Sequence, residues 1–312
     1  RGAETSAWPS LPSELWHHDF PEIPGGPPFW NIGGLILWQV GHFTDPSRMD
    51  VLFTVRRSYM HSEESGLLSG VDGSELWRRE RQIDNRGVGG TPFAVADFDG
   101  DGLDDATLLH PSEFTILRGA TGQDILARPT TWPEIPCPQV YWGQPIVGNF
   151  ERTGRPSVFF ATTRASMTGL LRADGSVVWW DALDVSPNSL PAFADVDGDG
   201  VIEAIGFGYP DGIRCYDTAT GAVKWRMESP IPGTPAGVAS GDINSDGRDE
   251  VVVTCGNTVY CLAATKSADS AFLLWQLPLS SPLGPPVIAD VDGNGLASIL
   301  VMGSDGLVTC LR

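Results

Sequence analysis

Short apolar segments alternate with polar turns along the whole 312-residue chain, and none of these segments follows a helical period. In one unit, the apolar run LPAFA precedes the acidic loop DVDGDGVIE, residues 195–203, and the run AIGFG follows it. The next segment of that unit, CYDTATGAVKW, has two strand-like runs around a Thr-Gly turn and ends in tryptophan. This order predicts four strands per unit, here called strands A to D, with the acidic loop between A and B and no helix.

The unit repeats along the whole chain. Four copies of the acidic loop are intact, and two copies, GHFTDPSRMDVLFT and GNFERTGRPSVFFA, have lost most of their acids. The six loops begin at His42, Asp97, Asn149, Asp195, Asp242 and Asp290. A period of roughly 50 residues with four strands per unit is typical of a β-propeller blade.

The two ends of the chain predict how the ring closes. After the sixth loop the sequence offers a strand B and a strand C but no strand ending in tryptophan, whereas SELWHHDF, residues 13–20, matches that pattern. We therefore predict an all-β, six-bladed β-propeller of four-stranded blades, with seven blades as the alternative. One domain would span residues 1–312, with residues 1–12 as an N-terminal extension and residues 13–20 as the closing strand of the last blade, which would leave no exposed sheet edge.

The acidic loops carry the pattern D-x-[DN]-x-[DN]-G-x-x-[DES]. Alternating residues of a tight loop point several oxygens inward, glycine permits the turn, and Ca²⁺ prefers six to eight oxygen ligands. Several uncompensated carboxylates in a partly dry loop repel one another unless a cation lies among them. The sequence therefore predicts calcium in three to four loops. The predicted ligands are Asp97, Asp99, Asp101 and Asp105; Asp195, Asp197, Asp199 and Glu203; Asp242, Asn244, Asp246 and Glu250; and, in a weaker site that Ser298 leaves without a closing acid, Asp290, Asp292 and Asn294.

The acidic loop and the strand after it resemble FG-GAP/VCBS repeats, the units of integrin-α-type propellers, over nearly the whole chain. The resemblance implies that the calcium loops join strands A and B on the lower face of each blade and make the blade rigid. The segments CYDTATGAVKW and LLSGVDGSELW also resemble quinoprotein-type propeller repeats, but only over strands C and D. Function is then expected on the opposite, upper face, which carries the B-to-C and D-to-A connections.

Two long connections supply candidate ligand-binding residues. The segment TTWPEIPCPQVYWG contains Trp132, Tyr141 and Trp142, whose rings could stack on a sugar, contact a protein, or simply cap the core of a blade. The segment RRSYMHSEESG contains Arg57, Tyr59 and His61, which could bind a carboxylate and act as a base, or form a solvated loop tip. By contrast, five tryptophans recur at one repeat position and are expected to pack the blades: Trp16, Trp77, Trp179, Trp225 and Trp275.

Charge and composition exclude some classes of partner. The formal net charge of −19 argues against nucleic acid as a partner, and no apolar run is long enough for direct membrane insertion. The five cysteines lie in no zinc motif and are expected to be mostly buried, with at most one or two disulfides. The leading hypothesis is a secreted or cell-surface module, or a periplasmic one, that binds a protein or glycan on the upper face and has no catalytic residues. A polysaccharide lyase and an accessory subunit of a surface assembly are the alternatives.

Overall fold

The computed structural model describes residues 14–18, 36–56, 62–82, 93–110, 113–129, 145–161, 167–182, 191–208, 212–227, 231–233, 235–264 and 270–312. Within these ranges the regular structure is entirely β, in six antiparallel sheets whose strands follow one another in chain order. No helix in the described ranges has the length and apolar character needed to cross a lipid bilayer. The prediction of six all-β blades is confirmed.

Each sheet is one blade, and its strands A to D are numbered here in chain order. Blade 1 contains β1 (Ile36–Gly41), β2 (Asp50–Arg56), β3 (Ser62–Leu68) and β4 (Glu75–Gln82). Blade 2 contains β5 (Phe93–Ala96), β6 (Asp105–His110), β7 (Glu113–Leu117) and β8 (Asp124–Pro129). Blade 3 contains β9 (Ile146–Gly148), β10 (Ser157–Ala161), β11 (Met167–Arg172) and β12 (Val177–Ala182).

The second half of the chain repeats this order. Blade 4 contains β13 (Ala192–Ala194), β14 (Glu203–Gly208), β15 (Gly212–Asp217) and β16 (Val223–Met227). Blade 5 contains β17 (Gly237–Gly241), β18 (Glu250–Cys255), β19 (Thr258–Ala264) and β20 (Ala271–Pro278). Blade 6 contains β21 (Val287–Ala289), β22 (Ser298–Met302) and β23 (Val308–Leu311).

Consecutive blades pack face to face. Strand A contacts the strand A of the next blade between blades 1 and 2, 2 and 3, 4 and 5, and 5 and 6. Blades 3 and 4 meet through an aromatic cluster that includes Phe159, Trp179 and Tyr216. Since strands B and C of a blade are apolar on both faces, their runs are buried almost without alternation, as in Val251–Val253.

The recurring tryptophan joins blade 1 to blade 2 and blade 3 to blade 4. Trp77 of blade 1 donates its indole N–H to Gly119 O in blade 2 at 2.8 Å, and Trp179 of blade 3 donates to Thr218 O in blade 4 at 2.8 Å. The strand C partner of the tryptophan is buried in blades 1, 3, 4 and 5, whereas strand D of blade 2 has Leu126 at the tryptophan position. A β-bulge lies between strands C and D just beside this pair in blades 1 to 5. The predicted packing role is therefore confirmed for Trp77 and Trp179.

Trp16 occupies the same position relative to blade 1, where its indole N–H donates to Gly70 O at 3.1 Å. Residues 14–18 nevertheless lie outside any strand, and within the described ranges blade 6 has three strands. The predicted pairing of residues 13–20 with the last blade is thus absent from the described part of that segment. The described part of the segment contacts blade 1 through the Trp16 side chain and through the ring of His18, whose centroid lies 6.4 Å from that of Phe53, without backbone pairing to β23.

The outer faces of the first and last blades expose apolar side chains. In blade 6, Ile299 and Val301 pack against blade 5, and Met302 and Val308, which pair on the opposite face, are 60% and 66% exposed. In blade 1, Trp38 lies on the face away from blade 2 and is 66% exposed. Among the described residues, no buried apolar cluster joins blade 6 to blade 1, whereas one lies between each pair of consecutive blades from 1 to 6.

Cys215, Cys261 and Cys310 are free thiols, so none of these three forms a disulfide. Cys215 and Cys261 are buried on strand C, and Cys310 lies on strand C of blade 6 but is exposed. Burial raises the pKa of the Cys261 thiol to about 12 and also raises the pKa of Cys215. Both thiols are therefore protonated, unreactive and out of contact with reagents near neutral pH.

A thiol reagent added to the native protein is expected to modify Cys310 and to leave Cys215 and Cys261 intact, as located by peptide mapping. All three should react after unfolding in guanidinium chloride. Modification of Cys215 at the rate of Cys310 would show that blade 4 opens readily in solution.

Candidate metal centre in the A-to-B loops

The A-to-B loop of blade 2 wraps its backbone around the first aspartate. Asp97 accepts hydrogen bonds from the N–H groups of Gly100 at 2.7 Å, Asp101 at 3.1 Å and Gly102 at 2.9 Å. Gly100 and Gly102 have φ of +82° and +87°, which only glycine adopts without strain, so this turn requires both. Residues of each loop are numbered here from this first aspartate, so that Asp97 is at position 1 and Asp105 at position 9.

The same loop recurs in blades 4, 5 and 6. The residue at position 1 is Asp195, Asp242 or Asp290, and its carboxylate accepts N–H bonds from positions 5 and 6 in each case. The residue at position 5 in turn accepts the N–H of position 7, as Asp101 does from Leu103 at 2.9 Å and Asn294 from Leu296 at 2.8 Å. Local hydrogen bonds therefore shape the loop, and asparagine serves at position 5 as well as aspartate does.

The residues at positions 1, 3 and 5 fit a hard cation in two of the loops. One carboxylate oxygen from each of Asp97, Asp99 and Asp101 lies within 4.8 Å of the others, and the oxygens of Asp195, Asp197 and Asp199 do the same. Three converging carboxylate oxygens are a suitable partial shell for Ca²⁺. In blade 5, Asn244 replaces the acid at position 3, and in blade 6, Asn294 replaces the one at position 5.

The residue at position 9 is buried in every blade. It is Asp50, Asp105, Ser157, Glu203, Glu250 or Ser298, and none of these is more than 2% exposed. Asp105 accepts N–H bonds from Phe98 at 3.0 Å, Asp99 at 3.3 Å and Gly119 at 3.2 Å, so its carboxylate already ties the loop to the C-to-D turn. Position 9 is therefore part of the scaffold whether or not a cation is bound.

Burial dominates the pKa of Asp105 and raises it from 3.8 to about 6, despite its bonds to backbone N–H groups. Burial likewise raises the pKa of Glu250. The metal-free folded protein therefore holds a proton on Asp105 in a range where the unfolded chain has released it. The contribution to stability is present below the unfolded value near 4 and is lost as the pH rises through about 6.

In excess chelator, raising the pH from about 4 to about 6 is expected to lower the free energy of unfolding by up to about 3 kcal/mol through Asp105. Urea denaturation at several pH values measures the slope. The variant Asp105→Asn should flatten the profile in this window. An equal slope in the variant would assign the effect to other groups.

Sequence reasoning missed basic side chains that pair with position 3. Arg118 directly follows strand C of blade 2 and pairs with Asp99. Arg312 directly follows strand C of blade 6 and pairs with Asp292. In blade 3, Arg172 contacts Glu151 at 2.6 Å, so an ion pair remains in a loop that has lost most of its acids. The recurrence of Leu-Arg in ILRGATG, LLRADGS and CLR was the signal that could have revealed these residues.

Blade 4 has a different cation. The last residue of its strand C is Asp217, where blade 3 has Arg172. The cation comes from strand D instead: Lys224 donates from Nζ to Asp197 at 2.7 Å and to Glu203 at 2.6 Å. Burial lowers the pKa of Lys224, but the bonds to the two carboxylates outweigh it and raise the pKa overall. Burial likewise raises the pKa of Glu203, and Lys224 only partly opposes that effect.

Two of the loops are also tied to the preceding blade. His42 N–H donates to Asp104 at 2.7 Å, and Asp104 N–H donates to His42 O at 3.0 Å. Asp195 and Asp249 exchange the same pair of bonds at 2.9 and 2.8 Å. The loop of blade 1, which has lost most of its acids, thus still joins blade 1 to blade 2.

The candidate ligand-binding residues lie outside the described ranges: Arg57, Tyr59, His61, Trp132, Tyr141 and Trp142. The longest described part of the upper face is the D-to-A connection 279–286 with the B-to-C turns 256–257 and 303–307. This connection is fixed by backbone bonds such as Leu283 N–H to Gly256 O at 2.8 Å and Ser304 N–H to Pro282 O at 2.8 Å. Asp305 is the only ionisable residue among these three segments, so they hold no acid–base pair.

No protein-family model and no curated protein matches the sequence. Solved structures do match it over most of its length. Saccharomyces cerevisiae Sqt1 is 12% identical with a TM-score of 0.61, covering 84% of this chain and 69% of that chain. The chain has the β-propeller fold.

Two further propellers show the range of functions in which this fold occurs. BBS1N, solved in complex with ARL6DN, is 12% identical with a TM-score of 0.57, covering 88% of this chain and 77% of that chain. The exotype rhamnogalacturonan lyase YesX is 17% identical with a TM-score of 0.60, and the match covers 88% of this chain and 55% of that enzyme. At such identities the likeness establishes the fold alone, and it does not single out FG-GAP/VCBS repeats.

Proposed function

We propose that this protein is a calcium-stabilised β-propeller that binds a protein partner through its upper face. The observation that carries the proposal is the recurrence of one hydrogen-bonded acidic loop in four blades. A catalytic centre is expected once, whereas a structural element is expected in every repeat. The acidic loops are therefore scaffold, and recognition belongs to the connections that have no repeat.

Calcium is proposed for the loops of blades 2, 5 and 6. At positions 1, 3, 5 and 9 the loop of blade 2 has four acids and the loop of blade 5 has three. Glu250, at position 9 of blade 5, accepts hydrogen bonds from the N–H of Ile243 and from the side-chain amide of Asn244. Blade 6 has two acids, so it should bind most weakly. Millimolar calcium would fill such loops in an extracellular or periplasmic setting, which is the localisation we propose.

A protein partner is favoured over a glycan by the described part of the upper face. The connection 279–286 and the turn 303–307 present Leu307, 61% exposed, and several prolines on a backbone held by hydrogen bonds from both blades. An ordered apolar surface of this kind suits a protein contact, since it costs little entropy to bind. BBS1N is a propeller of the same fold that was solved with a protein bound.

The experiment compares two double variants against panels of immobilised extracellular proteins and glycans. Trp132→Ala with Trp142→Ala removes two of the three candidates in the first segment, and Arg57→Ala with His61→Ala removes two of the three in the second. The proposal expects a protein ligand whose binding falls at least tenfold in the aromatic variant and is unchanged in the polar variant. Binding confined to glycans, or lost equally in a variant of the lower-face residue Asp72→Asn, would overturn it.

The lyase alternative has its own readout. β-Elimination on a uronate polymer creates an unsaturated product that absorbs in the ultraviolet, so a panel of such polymers tests it directly. An increase in absorbance that disappears in the Arg57 and His61 variant would replace binding with catalysis as the function.

A further inference from the structure

Lys224 lies at the β-bulge between strands C and D of blade 4. Tyr216 pairs with Val223 and Cys215 pairs with Trp225, so Lys224 is the extra residue that no strand C residue faces. A bulge re-aims the side chain it carries. Here it directs the lysine toward the A-to-B loop of its own blade.

The same extra residue can be identified in the other four complete blades, because each has the bulge at the equivalent place. It is Leu76 in blade 1, Ile125 in blade 2, Val178 in blade 3 and Leu274 in blade 5. Blade 4 is therefore the only one of the five with a charge at this position. The chain has just one other lysine, Lys266, and its remaining basic residues are arginines.

The lysine ammonium contacts two of the four acids that the loop pattern assigns to a cation. Nζ lies 2.7 Å from Asp197 Oδ2 and 2.6 Å from Glu203 Oε1. The other oxygen of Glu203 accepts the N–H of Val196 at 3.1 Å. Both oxygens of Glu203, which is fully buried, are thus satisfied from within the chain.

Arg118 of blade 2 does not have this effect. It pairs with Asp99 alone, its own side chain is 42% exposed, and Asp105 is bonded only to backbone N–H groups. A cation entering the blade 2 loop can displace one exposed arginine contact. In blade 4 it would have to displace a half-buried ammonium from two carboxylates at once, leaving that charge without a partner.

We propose that Lys224 is a built-in cation that holds the blade 4 loop closed without calcium, so that this loop is the metal-independent one among the acidic loops. The inference depends on the proposed function only for the loops of blades 2, 5 and 6, which are proposed to bind calcium. It follows that the presence of the full acidic motif does not predict metal binding here. The identity of the bulge residue on strand D decides it.

Replacing Lys224 by the residue found in blades 1 and 5, Lys224→Leu, tests this with a side chain that the bulge already accommodates. Native mass spectrometry of the chelated and reloaded protein counts the bound calcium ions. The wild type and Asp199→Ala, which lacks the oxygen at position 5, should bind the same number, Lys224→Leu one more, and the double variant the wild-type number again. Lys266→Leu is the matched control and should bind the wild-type number.

The reciprocal variant transfers the lysine to blade 5. Leu274→Lys places an ammonium at the equivalent bulge, near Glu250, and should reduce the number of bound ions by one. Melting measured by circular dichroism in chelator and in calcium separates folding from binding. Lys224→Leu should melt below the wild type in chelator and regain most of that loss in calcium.

Loss of one ion from the wild type on introducing Asp199→Ala would overturn the inference, since the blade 4 loop would then hold calcium beside Lys224. A Lys224→Leu variant that stays folded, gains no ion and is not stabilised by calcium would also overturn it, because Lys224 would then be an ordinary ion-pair partner. A wild type that binds no calcium would refute the proposed role of blades 2, 5 and 6. The gain of one ion in Lys224→Leu would still be measurable in that case.

Discussion

Replacing Trp179 by alanine is expected to lower the free energy of unfolding by about 3–5 kcal/mol. Trp179 is 8% exposed, its ring stacks on Tyr216 with centroids 6.0 Å apart, and it meets Phe159 edge-on at 5.8 Å. Its indole N–H also donates to Thr218 O at 2.8 Å, so the substitution leaves a cavity and an unpaired carbonyl between two blades. Urea denaturation followed by fluorescence and circular dichroism measures the change.

Trp38→Ala is the matched control, because Trp38 is a tryptophan on strand A that is 66% exposed. Its effect should be within about 1 kcal/mol. Equal losses in the two variants would contradict the assignment of the recurring tryptophan to the contact between blades. A much larger loss in the Trp38 variant would indicate that the seam between blades 6 and 1 is closed in solution.

Chelation of calcium is expected to lower the melting temperature by several degrees. Each occupied loop adds about 1–3 kcal/mol when calcium exceeds the dissociation constant by ten- to a hundredfold, and removal also restores repulsion among the acids at positions 1, 3 and 5. Differential scanning calorimetry in calcium and in excess chelator gives the shift. Readdition of calcium should restore the original melting temperature.

Magnesium is the control for this measurement. It prefers a strict octahedron and keeps its waters, so it should restore much less stability than calcium at the same concentration. A melting temperature that does not change with chelator would leave the backbone hydrogen bonds around Asp97, Asp195, Asp242 and Asp290 as the sole stabilisers of the loops. Full rescue by magnesium would show general charge screening in place of a calcium site.

The sequence predicted the blades because their determinants are local and repeated. The loop pattern fixes where strand A ends and strand B begins, and Gly100 and Gly102 show why the pattern needs glycine. The tryptophan at the end of the unit marks strand D in blades 1, 3, 4 and 5, and Trp77 and Trp179 make the same contact with the next blade. Repetition made each of these features visible without an alignment.

Features that depend on register or on distant parts of the chain were not predictable in the same way. The contact of Lys224 with Glu203 requires the bulge in strand D, and no local pattern reveals which residue a bulge leaves unpaired. Trp16 and Gly70, which share a hydrogen bond, are 54 residues apart in the sequence. The described residues 14–18 around Trp16 do not form the expected strand. The candidate residues of the upper face have no counterpart in other blades, so nothing in the chain itself tests them.

The central claim is that the acidic loops of blades 2, 5 and 6 hold calcium, and the blade 2 loop tests it most directly. Isothermal titration of the chelated wild type with calcium should show binding, and Asp101→Asn should remove or weaken the strongest site at least tenfold. The variant keeps the fold of the loop, because Asn294 makes the same turn at position 5 of blade 6. Asp72→Asn, in a C-to-D turn, should bind as the wild type does. Absence of calcium binding in the wild type, or unchanged binding in Asp101→Asn, would contradict the claim.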